Sequence, residues 1–315
     1  MSPTLRALPT RQGAIRFPTY IPVTTFGEKY PLDNLVRPYL PRLAQAAMVS
    51  FHYARQIEEF PRLPLLVDSG GFASLFNTAR VVRVGELGTI EINIDERIET
   101  IHPGSVLALQ EKIADVAFTL DFPIPVGMDE AEAQTRQQLT IANAHWALNN
   151  RRRRDLPLFA CVQAWDTTSA RICAQAYAGA TFDGIAIGGL VPRARDLPAV
   201  LAIVAAVRAE IGNLPLHVFG LGKPELVEML FKLGVDSVDS SAYVQLAAEG
   251  RLWSRPELHI TQATATDRLH LALCNLATAT GQSLPLSISR IVFNTHSLQF
   301  NSIDQDTAHA HDRAL

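Results

Sequence analysis

Leu214–Ser241 reads LPLHVFGLGKPELVEMLFKLGVDSVDSS, and this stretch decides the fold class. An apolar run, LPLHVFGLG (214–222), stops at glycines. Pro224–Leu233 then takes helical spacing, with Pro224 suited to a first turn and Gly234 to a stop. A second run, GVDSVDSS (234–241), follows at once. Strand, helix and strand in so short a space make a parallel βαβ unit.

Outward from there the theme repeats. LPLLVDSGG (63–71), ADVAFTLDFP (114–123), LPLFACVQAW (156–165) and FDGIAIGGL (182–190) are further apolar runs that end in polar or glycine residues, as buried parallel strands do. Leu197–Ile211 is apolar nearly all round and reads as a buried helix, and Gln110–Ala114 closes another. Thr19–Thr25 and Ala47–Phe51 read as the first strands. Six or more units with polar strand ends predict a closed (β/α)8 TIM barrel, an α/β fold. Ala79–Ile94 alternates around Gly85 and Gly88 and predicts an inserted β-hairpin. The barrel spans 1–253. Residues 254–315 form a C-terminal appendage packed on it, helical or mixed over Thr266–Thr280 and Ile291–Phe300, with a polar tail.

Composition narrows the function. With 48% hydrophobic and 19% charged residues in 315, the chain can bury a large core. No apolar run approaches the ~18 residues of a membrane span, and the start lacks a signal peptide's apolar stretch. Cys161, Cys173 and Cys274 are too few for a disulfide scaffold and fit a reducing cytosol, so a cytoplasmic location is expected. A net charge of −3 excludes nucleic-acid binding by global charge, though a local patch is compatible with it.

Asp68, Asp121, Gln163 and Asp239 each follow or end an apolar run. In a barrel such ends converge on one face, where the four side chains can share a pocket. A lone Asp at such a place is more often a helix cap, but four together favour a site. Gly70-Gly71 and Gly188-Gly189 let a flat ligand approach the backbone, or else simply make turns.

These residues carry a resemblance. Val67-Asp68-Ser69-Gly70-Gly71-Phe72 resembles the DSGGF/Y motif of tRNA-guanine transglycosylases, and Leu120-Asp121, Val162-Gln163 and Ala186-Ile187-Gly188-Gly189-Leu190 resemble further motifs of that family. So do Phe219-Gly220-Leu221-Gly222-Lys223-Pro224-Glu225 and Gly234-Val235-Asp236-Ser237-Val238-Asp239, in the same order across roughly 65–255. The resemblance implies a (β/α)8 barrel that exchanges guanine in nucleic acid for a 7-deazaguanine. It implies Asp239 as nucleophile and Asp68 as general acid/base. Asp121, Gln163, Gly188, Gly189 and Leu190 would read the base, and Phe219 and Phe72 would stack on it.

The chain also departs from the family. The zinc motif C-x-C-x-x-C with a distant His is reduced to Cys274 and His296, so no zinc and no other cofactor is expected. The arginine-bearing run after the nucleophile is here Ser240-Ser241-Ala242-Tyr243-Val244-Gln245. Gln163 is followed by Ala164-Trp165, and Leu190 by Val191-Pro192-Arg193-Ala194-Arg195. The losses fall on features that tie the family to tRNA, which favours DNA as the nucleic acid, with tRNA second. Arg193 and Arg195 are expected at a phosphate backbone. Arg151–Arg154 reads as a solvated helix end. His102 and His145, in helix-like stretches, read as ordinary surface or core residues, and Cys161 as a small apolar one. Expected partners are nucleic acid, a base such as 7-cyano-7-deazaguanine, and helper proteins if a duplex must be opened. The alternatives are a non-catalytic partner subunit of a transglycosylase complex and an ordinary barrel hydrolase or lyase.

Overall fold

The computed structural model describes residues 6–25, 31–57, 60–94 and 97–284, with the backbone of 301–302. Eight strands form the centre: β1 (Thr19–Pro22), β2 (Ala47–Val49), β3 (Leu65–Val67), β4 (Val116–Phe118), β5 (Leu158–Val162), β6 (Gly184–Ile187), β7 (Leu216–Val218) and β8 (Ser237–Ser240). All neighbours are parallel, in the order β1-β8-β7-β6-β5-β4-β3-β2. The row closes on itself where Val23 bridges Met48 and the Thr24 N–H donates to Met48 O at 2.8 Å. The expected (β/α)8 barrel is therefore present.

Helices cover the outside: α1 (Pro31–Val36), α2 (Phe51–Ala54), α3 (Pro103–Ile113), α4 (Glu130–Asn150), α5 (Thr167–Gln175), α6 (Leu197–Ile211), α7 (Pro224–Lys232) and α8 (Ala242–Ala248). Every residue of the eight strands is buried, which is why the runs read as continuous rather than alternating. Inside, Met48, Leu66, Val116, Phe118, Phe159, Cys161 and Ala186 pack into one cluster. An N-terminal hairpin (Ala7–Thr10 with Gly13–Arg16) adds Leu8, Ile15 and Phe17 to it. Gln12 and Arg11 reach Asp115, just before β4, at 2.9 and 3.4 Å. This hairpin thus closes the N-terminal end of the barrel and leaves the strands' C-terminal ends as the open face.

The structure corrects several expectations. The insertion is a three-stranded antiparallel sheet, because Arg97–Ile101 pairs with Leu87–Ile94 beside Ala79–Val84. The first two barrel strands end earlier than expected, at Pro22 and Val49. His102 caps α3 rather than lying within it, and its Nδ1 accepts from Gly104 N–H at 2.9 Å. His145 is half-buried with Nε2 2.9 Å from Ala176 O. The arginine run is a helix end that is solvated only in part, with Arg152 and Arg154 exposed. Arg151 is buried and bonds Leu156 O at 2.8 Å and Asp183 Oδ2 at 2.6 Å, and Arg153 bonds Glu111 O at 2.8 Å.

Past Trp253 the chain stays on the barrel. Arg251–Leu252 pairs with Arg255–His259, and helix α9 (Ala265–Thr280) lies against α1, α8 and β1. Asn275 of α9 accepts from Trp253 N–H at 2.8 Å, and the Trp253 ring meets Tyr20 edge-on at 6.1 Å. The expectations for Ile291–Phe300 and for His296 lie outside the described residues. No helix among the described residues is long and apolar enough to cross a membrane.

Candidate active site

Asp68, Asp121, Gln163 and Asp239 come from the ends of β3, β4, β5 and β8 and do meet at the open face. Asp121 and Gln163 are held from behind by α4. On that helix Thr140 Oγ1 accepts from Phe122 N–H at 3.1 Å, Asn143 Nδ2 donates to Leu120 O at 3.2 Å, and Gln137 Nε2 donates to Gln163 O at 2.6 Å. Positions 137, 140 and 143 lie on one helix face, so a single element sets both side chains. Asp121 is 5% exposed and Gln163 fully buried.

The Asp121 carboxylate is clasped at both oxygens. Ser69 Oγ–H donates to Oδ1 at 2.6 Å and Gln163 Nε2 to Oδ2 at 2.5 Å. Burial pushes its pKa up, while these two hydrogen bonds pull the other way. Gln163 Oε1 has no hydrogen-bond partner among the described residues. A buried carbonyl oxygen in that state is an acceptor held ready for a donor. Glycines make the slot beside this pair. A Cβ on Gly188 would overlap Gln163 Nε2, and one on Gly189, whose φ is +70°, would come within 2.5 Å of Gln163 Oε1.

Asp68 is half-buried, and its Oδ1 accepts from Gly70 N–H at 2.7 Å and Phe51 N–H at 3.1 Å. Its pKa is nonetheless raised to about 7, first by burial and then by the charges of Asp239 and Asp121, with those N–H groups opposing. Asp239 is 6% exposed. Its Oδ1 takes two partners, the Gly220 N–H at 3.1 Å and His217 Nε2 at 3.0 Å. Oδ2 has no hydrogen bond among the described residues.

Sequence reading passed over His217. It lies mid-strand between apolar neighbours, where a histidine looks like core. The available signal was the period of two, which puts 217 and 219 on one face of β7 and 237 and 239 on one face of β8. Ser69 lies within the 67–72 motif, and nothing in that motif shows that its hydroxyl serves Asp121.

The remaining expected residues divide. Leu190 is fully buried, and Phe219 is half-buried with its ring 4.9 Å from Phe118 and 4.8 Å from His217. Phe72 follows Gly71, is exposed, and meets Phe76 edge-on at 6.1 Å. Arg193 departs from expectation. It is buried, and its Nη1 donates to Ile124 O at 2.7 Å and Gly189 O at 3.3 Å, so it braces the slot from behind instead of offering itself to phosphate. Arg195 is exposed. Both line a recess of about 560 Å³ with Ile124, Met128, Trp165 and Asp196.

With this geometry in view, the family model for queuine tRNA-ribosyltransferase matches residues 5–278. The chain belongs to that family. A tRNA-guanine(15) transglycosylase of Methanococcus aeolicus is 27% identical over 244 residues, which cover 75% of this chain and 36% of that protein. The tRNA-guanine(15) transglycosylase of Methanocaldococcus jannaschii is 30% identical over 62% of this chain and 31% of its own length. A queuine tRNA-ribosyltransferase of Moorella thermoacetica is 26% identical over 78% of this chain and 70% of that protein. The chain thus spans about a third of the length of these two archaeal relatives.

The zinc that the family resemblance implies does not fit the residues described. Cys161 and Cys173 are buried, in β5 and α5, and Cys274 is half-buried on α9. Among the described residues no three His, Cys, Asp or Glu side chains group as metal ligands. Without at least two further ligands grouped beside it among the described residues, Cys274 cannot supply a tetrahedral N/S site.

Proposed function

We propose that this chain exchanges a guanine base in nucleic acid for a 7-deazaguanine through a covalent bond between Asp239 and the sugar. The observation that carries the reading is the meeting of three unlike carboxyl groups at one barrel mouth. Asp239 has an oxygen without a hydrogen bond, Asp68 holds a proton near neutrality, and Asp121 is clasped beside a glycine-walled slot.

Each group suits one task. An Asp239 oxygen forms a bond to C1′ as the C1′–N9 bond breaks, and the electron pair leaves with guanine. The Asp68 carboxylic acid gives its proton to the departing base. The Asp68 carboxylate then takes the ring-nitrogen proton of the incoming base, whose nitrogen attacks C1′, and the pair of the O–C1′ bond returns to Asp239. Asp121 has lone pairs left after Ser69 and Gln163, and guanine's N1–H and exocyclic amine are the donors to match them. The Gly188–Leu190 backbone meets the other edge of the base, and Phe219 and Phe72 contribute stacking. No step passes through a metal, and the chain works without zinc.

DNA is the preferred nucleic acid on this reading. What supports it is the composition of two segments: 254–265 lacks cysteine, and Ser240–Gln245 lacks arginine. The tRNA reading stands second and draws on the likeness to transglycosylases named for tRNA. One experiment separates them. Purified protein is incubated with 7-cyano-7-deazaguanine and either DNA or tRNA, and nucleosides are analysed by mass spectrometry, with Asp239→Asn alongside. A deazaguanine deoxynucleoside from the wild-type DNA reaction alone is the expected result. Product from tRNA alone reverses the preference. Product from neither returns the non-catalytic partner reading, and product from Asp239→Asn removes Asp239 from the nucleophile role.

A further inference from the structure

His217 is an imidazole with a specific connection to the nucleophile. It is fully buried on β7, its ring 5.2 Å from Phe118 and 4.8 Å from Phe219. Nδ1 lies 2.8 Å from Ser237 Oγ and Nε2 lies 3.0 Å from Asp239 Oδ1. The barrel register makes this contact, since His217 is the Cα partner of Ser237 and Asp239 is the next residue on the same face of β8.

Hydrogen-bond chemistry sets the direction of the chain. An ionised carboxylate offers only acceptors, so Nε2 carries the hydrogen. In the neutral ring Nδ1 then accepts, and the Ser237 hydroxyl donates to it. The carboxylate therefore selects the tautomer, and the hydroxyl, which can donate as well as accept, completes it. Oδ1 of Asp239 receives both the imidazole N–H and the Gly220 N–H.

We propose that His217 is a positioning residue for this exchange, holding Oδ1 of Asp239 as the spectator oxygen so that Oδ2 attacks, and setting how long the covalent intermediate lives. The inference rests on the exchange reading above. When Oδ2 bonds C1′, Oδ1 becomes the carbonyl oxygen of an ester and keeps its two donors. Those donors polarise the ester and stabilise the carboxylate that departs when the incoming base attacks. Without the imidazole donor the Asp239 carboxylate is less well stabilised, which makes it a better nucleophile and a poorer leaving group. The first displacement is spared, and the second slows.

The test compares wild type, His217→Leu and His217→Gln, the last because a Gln amide can place an N–H near the Nε2 position. The strand that supports exchange is incubated with enzyme, the reaction is stopped in denaturant, and the fraction held as protein–strand adduct is read on a gel beside steady-state turnover of 7-cyano-7-deazaguanine. His217→Leu is expected to accumulate adduct and to lose about 10- to 100-fold in kcat, as befits one hydrogen bond to a charged group, with KM for the base little changed. His217→Gln is expected to recover most of the rate and the low adduct level. Equal adduct and equal kcat in His217→Leu and wild type would overturn the proposal. So would equal loss in both variants with no adduct rise, since a purely packing role predicts that. If the Leu variant does not fold, His217→Phe reads the same point, because a phenyl ring suits the aromatic site beside Phe118 and Phe219 and supplies no N–H to Asp239. Adduct must rise there too, and an unchanged level overturns the proposal. Wild type that forms neither adduct nor product on DNA or tRNA overturns the exchange reading itself, a failure distinct from normal exchange with indifferent variants.

Discussion

Asp68 keeps its proton to about pH 7 because the protein around it solvates charge less well than water does, and because Asp239 and Asp121 repel a further negative charge. A carboxyl at that value can act as acid in one half-reaction and as base in the next. Adduct formation by wild type should therefore fall as pH rises through 7, where the acid form is lost. A flat single-turnover profile from pH 5 to 9 would remove Asp68 from the acid role. The same shift bears on stability. A carboxyl raised above its ordinary 3.8 costs the fold stability as pH climbs from there through about 7, when the folded state must ionise it. Asp68→Asn, whose amide oxygen can still accept from Gly70 and Phe51, is expected to gain melting temperature relative to wild type at pH 8 but not at pH 4. A gain of the same size at both would assign the effect to something other than the charge. Asp68 was legible in the sequence because a polar residue ended an apolar run. His217 was not, because its partners come from the neighbouring strand.

At the scale of elements, α4 does more than cover the barrel. Its residues Gln137, Thr140 and Asn143 hold the segments that carry Asp121 and Gln163, and Asn143 also accepts from Gly88 N–H of the inserted sheet at 3.0 Å. Its C-terminal end is pinned by Arg151, which satisfies Leu156 O and Asp183 at the start of β5 and β6. Arg151→Ala would leave a buried carbonyl without a donor and is expected to cost about 2 kcal/mol in urea unfolding. Turnover of the folded variant should be unchanged, and a stability equal to wild type would show that water replaces the guanidinium. The boundaries of α6 were legible because a long apolar pattern bounded by Asp196 and Gly212 has few alternatives. Arg97–Ile101 escaped because Arg97 and Glu99 break the apolar pattern, and only pairing with Leu87–Ile94 makes it a strand. Arg193 was misread for a similar reason. A charged residue after a turn looks exposed until carbonyl acceptors are placed around it.

For the whole molecule, the zinc question separates this chain from the resemblance that its motifs carry. Elemental analysis of purified protein is expected to find well under one equivalent of zinc, with exchange unaffected by a chelator. A full equivalent would mean that ligands beyond the described residues complete a site. The sequence by itself determined the barrel, because eight apolar runs and their helices leave few other ways to bury both faces of a parallel sheet. It also determined which polar residues stand at the strand ends. Only the tertiary structure decided what those residues touch. Closure of the sheet, strand register and the rear face of α4 bring Ser69 and Gln163 to Asp121, and His217 with Gly220 to Asp239. A hydrogen bond acts over about 3 Å, and residues dozens of positions apart reach that distance only when the chain is folded.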